Sequence, residues 1–215
     1  MLWRIWARGS GSVLEVQDLQ VLAPSGEILK GIGFETSAHL AILGPSGSGK
    51  STLAKAFCGL LPPTFKVHHT HLKMSGPSGY VFQDCISCFF PYLKIKDTFK
   101  MVLKERFTQT KDLLERLNVP LKVWEAYPYE LSRGMASRVQ IALNLALNKQ
   151  ILFLDEVTSS LDRANTQSVV DLLLSLPVQR VVITHDEEVA RALCEVVLVL
   201  ESGRGVYFGK IAGYL

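Results

Sequence analysis

Residues 40–57 hold the feature that most constrains how this chain can fold. Leu40-Ala-Ile-Leu43 is an apolar run, Leu53-Ala-Lys-Ala-Phe57 reads as helix, and between them stand Gly44, Pro45, Ser46, Gly47, Ser48, Gly49, Lys50, Ser51 and Thr52. Strand, glycine-rich loop and helix in immediate succession make the setting of a phosphate-binding loop. Glycines at both ends let the backbone turn tightly, so that successive N–H groups point inward at a β-phosphate while the new helix adds its positive end. Lys50 reaches the β- and γ-phosphates. Ser51 follows it, where a hydroxyl can ligate a magnesium ion that keeps most of its water and needs few protein oxygens.

The 215 residues, 48% of them hydrophobic, suffice for one large domain or for a core with an inserted subdomain. A net charge of +3 gives no basic stripe, so a dedicated nucleic-acid binder is not expected. No apolar run approaches the roughly 18 residues of a membrane span, which predicts a soluble or peripheral protein. Cys58, Cys85, Cys88 and Cys194 are scattered without a signal peptide, so reduced thiols are expected, with Cys85-x-x-Cys88 a lone pair that has no metal or redox role. His68, His69 and His71 lie in a polar, turn-like segment and are expected to be a solvated loop.

In chain order, residues 1–12 read as a tail or linker. Alternation at 13–16 and 19–22, a turn at 24–26 and a second run at 28–34 predict an antiparallel hairpin ahead of the loop. The first helix is expected to stop at Leu61-Pro62-Pro63, and Tyr80 to Asp84 reads as a strand carrying Gln83. Helical patterns at 97–107, 111–117 and 132–147 form an insert over 85–145. Residues 150–156 read as a buried strand ending in Asp155 and Glu156, followed by a helix at 168–176. Residues 180–185 give a strand ending in His185, followed by a helix at 187–194 and two final strands. The expected fold is α/β: a phosphate-loop NTPase core (13–84 and 146–215) with a mostly parallel sheet, an N-terminal antiparallel hairpin region and an inserted helical subdomain (85–145). Such sheets bind ligands beyond the carboxyl ends of their strands. Gly44, Gln83, Asp155, Glu156 and His185 all end apolar runs and are expected at that edge. There Asp155 can hold the magnesium ion through water, Glu156 can polarise an attacking water, and His185 can hydrogen-bond a γ-phosphate.

With Leu131-Ser-Arg-Gly-Met135 and Ser160-Leu-Asp162 added, the chain from Val13 onward resembles the ATP-binding cassette (ABC) ATPases. The first string is similar to the family's signature loop and the second to the loop through which paired cassettes communicate. The resemblance implies an ATP- and magnesium-dependent ATPase that works as a head-to-tail pair, homo- or heterodimeric. Ser132 and Gly134 of one cassette would close on the nucleotide of the other, with Asp162 beside them. It also implies that Gln83 joins core to insert, senses the γ-phosphate and contributes to the magnesium site.

The string from Phe82 through Pro91-Tyr92, and Tyr127-Pro-Tyr-Glu ahead of the signature, resemble the branch that energises peptide and nickel importers. That branch implies permease partners at the cytoplasmic face of the membrane, a groove lined by Phe89, Phe90, Pro91 and Tyr92, and an indirect link to a solute-binding protein. The cargo would be a peptide, nickel or a metal–chelator complex. The sequence departs from the family at Arg133, where glycine is usual, at Val157, where proline is, and near Ala23, where an aromatic ring commonly stacks on adenine. The alternatives are a soluble ABC ATPase acting on nucleic acid or ribosomes, and a weakly hydrolysing member of an unequal pair.

Overall fold

The computed structural model describes residues 14–104, 107, 110–159 and 161–215, with the backbone of Arg4–Ile5. The tail expected over 1–12 therefore lies outside the described residues, apart from Arg4–Ile5 (β1), which run parallel to Glu35 and Thr36. Ser160 lies outside them as well. Chain contacts divide the protein into two compact units: Met1–Tyr80 with Gln150–Glu156 and Pro177–Leu215, and Val81–Lys149 with Val157–Leu176.

The first unit holds two sheets. In one, β2 (Leu14–Ala23) pairs antiparallel with β3 (Gly26–Thr36) through the expected turn. The alternation that breaks between Val16 and Leu19 is a register shift there, and Asp18 within it has φ +53°. On its other side β2 pairs antiparallel with β5 (Lys66–His68) and β6 (His71–Met74). This corrects the expectation of a solvated loop at 68–71. His68 and His71 sit in short edge strands, and His71 Nε2 lies 3.4 Å from Glu15 Oε2, a diagonal neighbour on β2. The segment's polar composition hid the strands because they are too exposed to need an apolar face.

The second sheet has the order β11–β10–β4–β9–β8–β7, from β4 (Leu40–Leu43), β7 (Ser78–Val81), β8 (Ile151–Asp155), β9 (Gln179–Ile183), β10 (Val196–Glu201) and β11 (Arg204–Lys210). The pairs β10–β4, β4–β9 and β8–β9 are parallel, and β10–β11 is antiparallel. Every residue of β4, β8 and β9 is buried, as continuous apolar runs require. α1 (Lys50–Cys58) packs Phe57 on Phe153 of β8 and on Phe34 of β3, at ring distances of 5.8 and 5.9 Å, so the same aromatic cluster anchors the helix to both sheets. α1 ends earlier than the prolines at 62–63 predict: Gly59 caps it in the left-handed region, φ +66°. The unit's last helix, α6 (Glu187–Leu193), starts at Asp186, whose carboxylate accepts from the N–H groups of Glu188 and Val189.

The second unit carries α2 (Ile95–Leu103), α3 (Thr110–Arg116), α4 (Arg133–Ala146) and α5 (Arg163–Ser175). Trp124 lies 5.4 Å from Phe99 and 5.3 Å from Phe107, ring to ring, in its core. α5 begins five residues before the expected start because Asp162 caps it, accepting from Asn165 N at 2.9 Å, while its first turns are polar and exposed. The strand expected to carry Gln83 ends at Val81, so Gln83 stands on an exposed turn.

Candidate functional site

The register of the parallel strands sets the site. Ile183 pairs with Ile42 and with Asp155, so β4, β8 and β9 end together, and Glu156 N–H donates to Ile183 O at 2.9 Å. Gly44–Ser51, Asp155, Glu156 and His185 therefore share one edge of the first unit, whereas Gln83, expected with them, belongs to the second unit.

Gly44 leaves β4 at φ +140°, and a Cβ there would run into the Leu200 carbonyl, which is why this end of the loop must be glycine. Ser48 carries the brace: its N–H donates to Pro45 O at 3.2 Å and its carbonyl accepts from Gly203 N at 3.2 Å. Gly203, on the β10–β11 turn, is a support that sequence reasoning missed. The Ser48 hydroxyl is buried inside the loop. α1 follows from Gly49 with no side-chain cap and no acidic residue in its first turn, so its N–H groups and dipole stay available to an anion. Lys50 Nζ folds across the loop onto the carbonyls of Gly44 and Pro45, at 2.8 and 2.9 Å. Thr52 is half-buried, and Pro45, Ser46 and Gly47 are exposed.

Both oxygens of the buried Asp155 carboxylate are held. Ser51 Oγ donates to Oδ1 at 3.0 Å and the Tyr80 hydroxyl donates to Oδ2 at 2.5 Å. Burial, and then the bond to Asp155, push the Tyr80 hydroxyl far above its ordinary pKa, so it stays a donor. A hydroxyl and a carboxylate at this spacing are hard oxygen donors that suit a magnesium ion bound by few protein ligands. Among the described residues no group of three or more His, Cys, Asp or Glu side chains could hold a metal ion by itself.

Glu156 has φ +52°, and its Oε2 lies 2.9 Å from Nδ1 of the exposed His185. The imidazole thereby fixes the carboxylate and keeps Nε2 free to turn outward. The arrangement pairs an anchored base with a cradle for phosphate, the parts that hydrolysis of a phosphoanhydride requires.

The second unit holds the other candidates. Ser132 caps α4, its Oγ accepting from Met135 N at 3.2 Å, and Arg133 is exposed in the first turn. Gly134 is only partly covered, with Leu161 as the neighbour a side chain there would meet. Both oxygens of Asp162 are occupied by Asn165. Gln83 is exposed, in a turn held by Gln140, a residue that no sequence motif marked. Phe90 and Tyr92 are exposed and 6.0 Å apart, whereas Phe89 is buried. Cys85 and Cys88 form no disulfide, and their thiols donate to the carbonyls of Phe82 and Asp84.

The description of the ABC transporter family matches residues 31–159. The metal-staphylopine import system ATP-binding protein CntF of Staphylococcus aureus is 33% identical over 82% of this chain and 80% of its own length. The oligopeptide transport ATP-binding protein OppD of Salmonella typhimurium is 30% identical over 92% and 70%. A solved dimeric cassette, MJ0796 bound to ADP and Pi, superposes with a TM-score of 0.76 at 25% identity, covering 92% of this chain and 98% of that one. The match of family, fold and phosphate-loop edge together establishes that the chain belongs to the ABC transporter family, as an ATP-binding, ATPase domain.

Proposed function

We propose that this chain is the subunit that energises a membrane importer of a peptide, nickel or a metal–chelator complex. It would sit peripherally at the cytoplasmic face of the membrane, beside permease subunits that receive cargo from a solute-binding protein. The observation that carries the reading is the edge where Ser51 and Tyr80 hold Asp155 while His185 holds Glu156. The names of the import relatives support the direction of transport. Among the described residues no helix is long and apolar enough to cross a membrane.

The loop from Gly44 to Thr52 would bind the phosphates, with Lys50 exchanging its carbonyl partners for β- and γ-oxygens. Ser51, Asp155 and Gln83 would hold magnesium, which screens the phosphate charge when bound. Glu156 takes the proton of the attacking water, and His185 orients Glu156 through Nδ1 and turns Nε2 toward the γ-phosphate. Ser132 and the Gly134 N–H of a second cassette, beside Asp162, cover the γ-phosphate from the opposite side, and loss of that phosphate lets the pair open. The helical subdomain over 85–145 presents Phe90, Pro91 and Tyr92 to the permease, while Phe89, expected with them, is buried in the subdomain. No nucleic acid is required.

The test is magnesium-dependent ATP hydrolysis against protein concentration. A rate rising faster than linearly, and reduced about 100-fold or more in Glu156→Gln, is expected. A rate strictly proportional to concentration at full activity refutes the pair. Arg133→Gly distinguishes the variants of the reading: if only that change or a second, different cassette restores turnover, the pair is unequal.

A further inference from the structure

The turn at residues 82–85 lies outside the regular strand ladder, so its buried backbone needs partners from elsewhere. Gln140, 5% exposed in the middle of α4, supplies them: its Oε1 accepts from Phe82 N at 2.9 Å and its Nε2 donates to Cys85 O at 3.2 Å. The Cys85 thiol closes the turn onto Phe82 O at 2.8 Å and faces the buried Ser137 hydroxyl. Hydrogen bonds from Ser87 hold the neighbouring Asp84 carboxyl below its ordinary range, and the charge of Arg133 adds to the effect. Arg133, Ser137 and Gln140 are spaced i, i+4, i+7, one face of the helix that begins at Ser132.

We propose that Gln140 is a positioning residue that clamps the Gln83 turn to the signature helix, so that Gln83 and Ser132 move as one body. Eight helical residues, about 12 Å, separate Gln140 from Ser132, and a packed helix transmits displacement over that distance without slack. The inference rests on the reading of Gln83 and Ser132 as nucleotide ligands given above.

The test uses the full chain and ATP. Gln140→Met keeps side-chain length and helix propensity but neither hydrogen bond. It should leave the Kd for ATP within about twofold, lower kcat about tenfold, and speed hydrogen exchange of the Phe82 amide about tenfold or more. Gln140→Glu, which keeps the acceptor for Phe82 N, should fall between, and it carries the same readouts if Gln140→Met does not fold. In the Glu156→Gln chain, ATP should slow exchange at 82–85 and at 132–136 alike, and Gln140→Met should uncouple the second response from the first. Wild-type kcat in folded Gln140→Met, or unchanged Phe82 exchange, overturns the clamp. An ATP response at neither segment overturns instead the ligand roles of Gln83 and Ser132, and the Phe82 amide then judges the clamp alone.

Discussion

Tyr80→Phe isolates how Asp155 is held. The ring of Tyr80 is buried, and phenylalanine fills the same space, so the substitution removes one hydroxyl and opens no cavity. What is lost is the bond to Asp155 Oδ2, leaving a buried carboxylate oxygen unpaired while Ser51 still serves Oδ1. A hydrogen bond to a buried charged group contributes about 1.5–3 kcal/mol. For a chain of this size each kcal/mol is worth about 2–4 °C, so Tyr80→Phe should melt roughly 4–8 °C below the parent at about 2 kcal/mol. Thermal unfolding at neutral pH measures this directly. A double-mutant cycle with Asp155→Ala separates the pair from the ring's packing, and a coupling of about 1–2 kcal/mol is expected. A melting point within 1 °C of the parent, or zero coupling, would refute the view that Tyr80 anchors this carboxylate.

Gly44→Ala drives a Cβ into the Leu200 carbonyl at a left-handed φ, so it should abolish ATP binding measured by fluorescence titration, whereas Gly47→Ala, with open space around it, should do less harm. Burial raises the Cys85 thiol to about 12 and raises Cys194 and Tyr80 as well. Their folded values exceed the unfolded ones, so this stabilisation is complete below about pH 8.5 and is lost as pH rises toward 12. Melting temperature should therefore fall steadily above pH 8.5, less steeply in Cys85→Ala. With a disulfide reagent at pH 8, Cys88 should react in the native chain and Cys85 and Cys194 only after unfolding. Ser132→Ala removes the cap of α4 and should cost about 1 kcal/mol by denaturant titration, beyond any loss of turnover.

The parts legible in the sequence were those where burial and chemistry coincide. Residues 40–57 and 150–156 announce fully buried strands that end in polar groups, and the sheet register does bring those ends together. The parts that stayed hidden depend on partners distant in sequence. Tyr80 opens a predicted strand with nothing in the sequence to tie it to Asp155, and the fold sets its hydroxyl on that carboxylate, 75 positions away. Gln140 lies inside a predicted helix with no motif to mark it, and only the 82–85 turn that its amide serves shows its role. The edge strands at 66–68 and 71–74 carry no alternation because neither is well buried, so only pairing with β2 reveals them. The apolar run of α5 begins only after its capped, polar first turns, so periodicity shows the helix late.

Asp155 and Glu156 are adjacent in sequence yet serve different neighbours, and the backbone explains how. Successive side chains of a strand point to opposite faces, which alone would bury Glu156 or turn it away from the edge. At Glu156 the chain instead leaves the strand with φ +52°, while its N–H keeps the strand-like bond to Ile183 O. The left-handed turn costs a non-glycine residue about 1–2 kcal/mol. It directs the carboxylate to His185 Nδ1 at the rim rather than to the Ser51–Asp155–Tyr80 group. Glycine at 156 would relieve that strain but remove the carboxylate. Glu156→Gln keeps the geometry and removes only the basicity, which is why that substitution separates chemistry from folding at this edge.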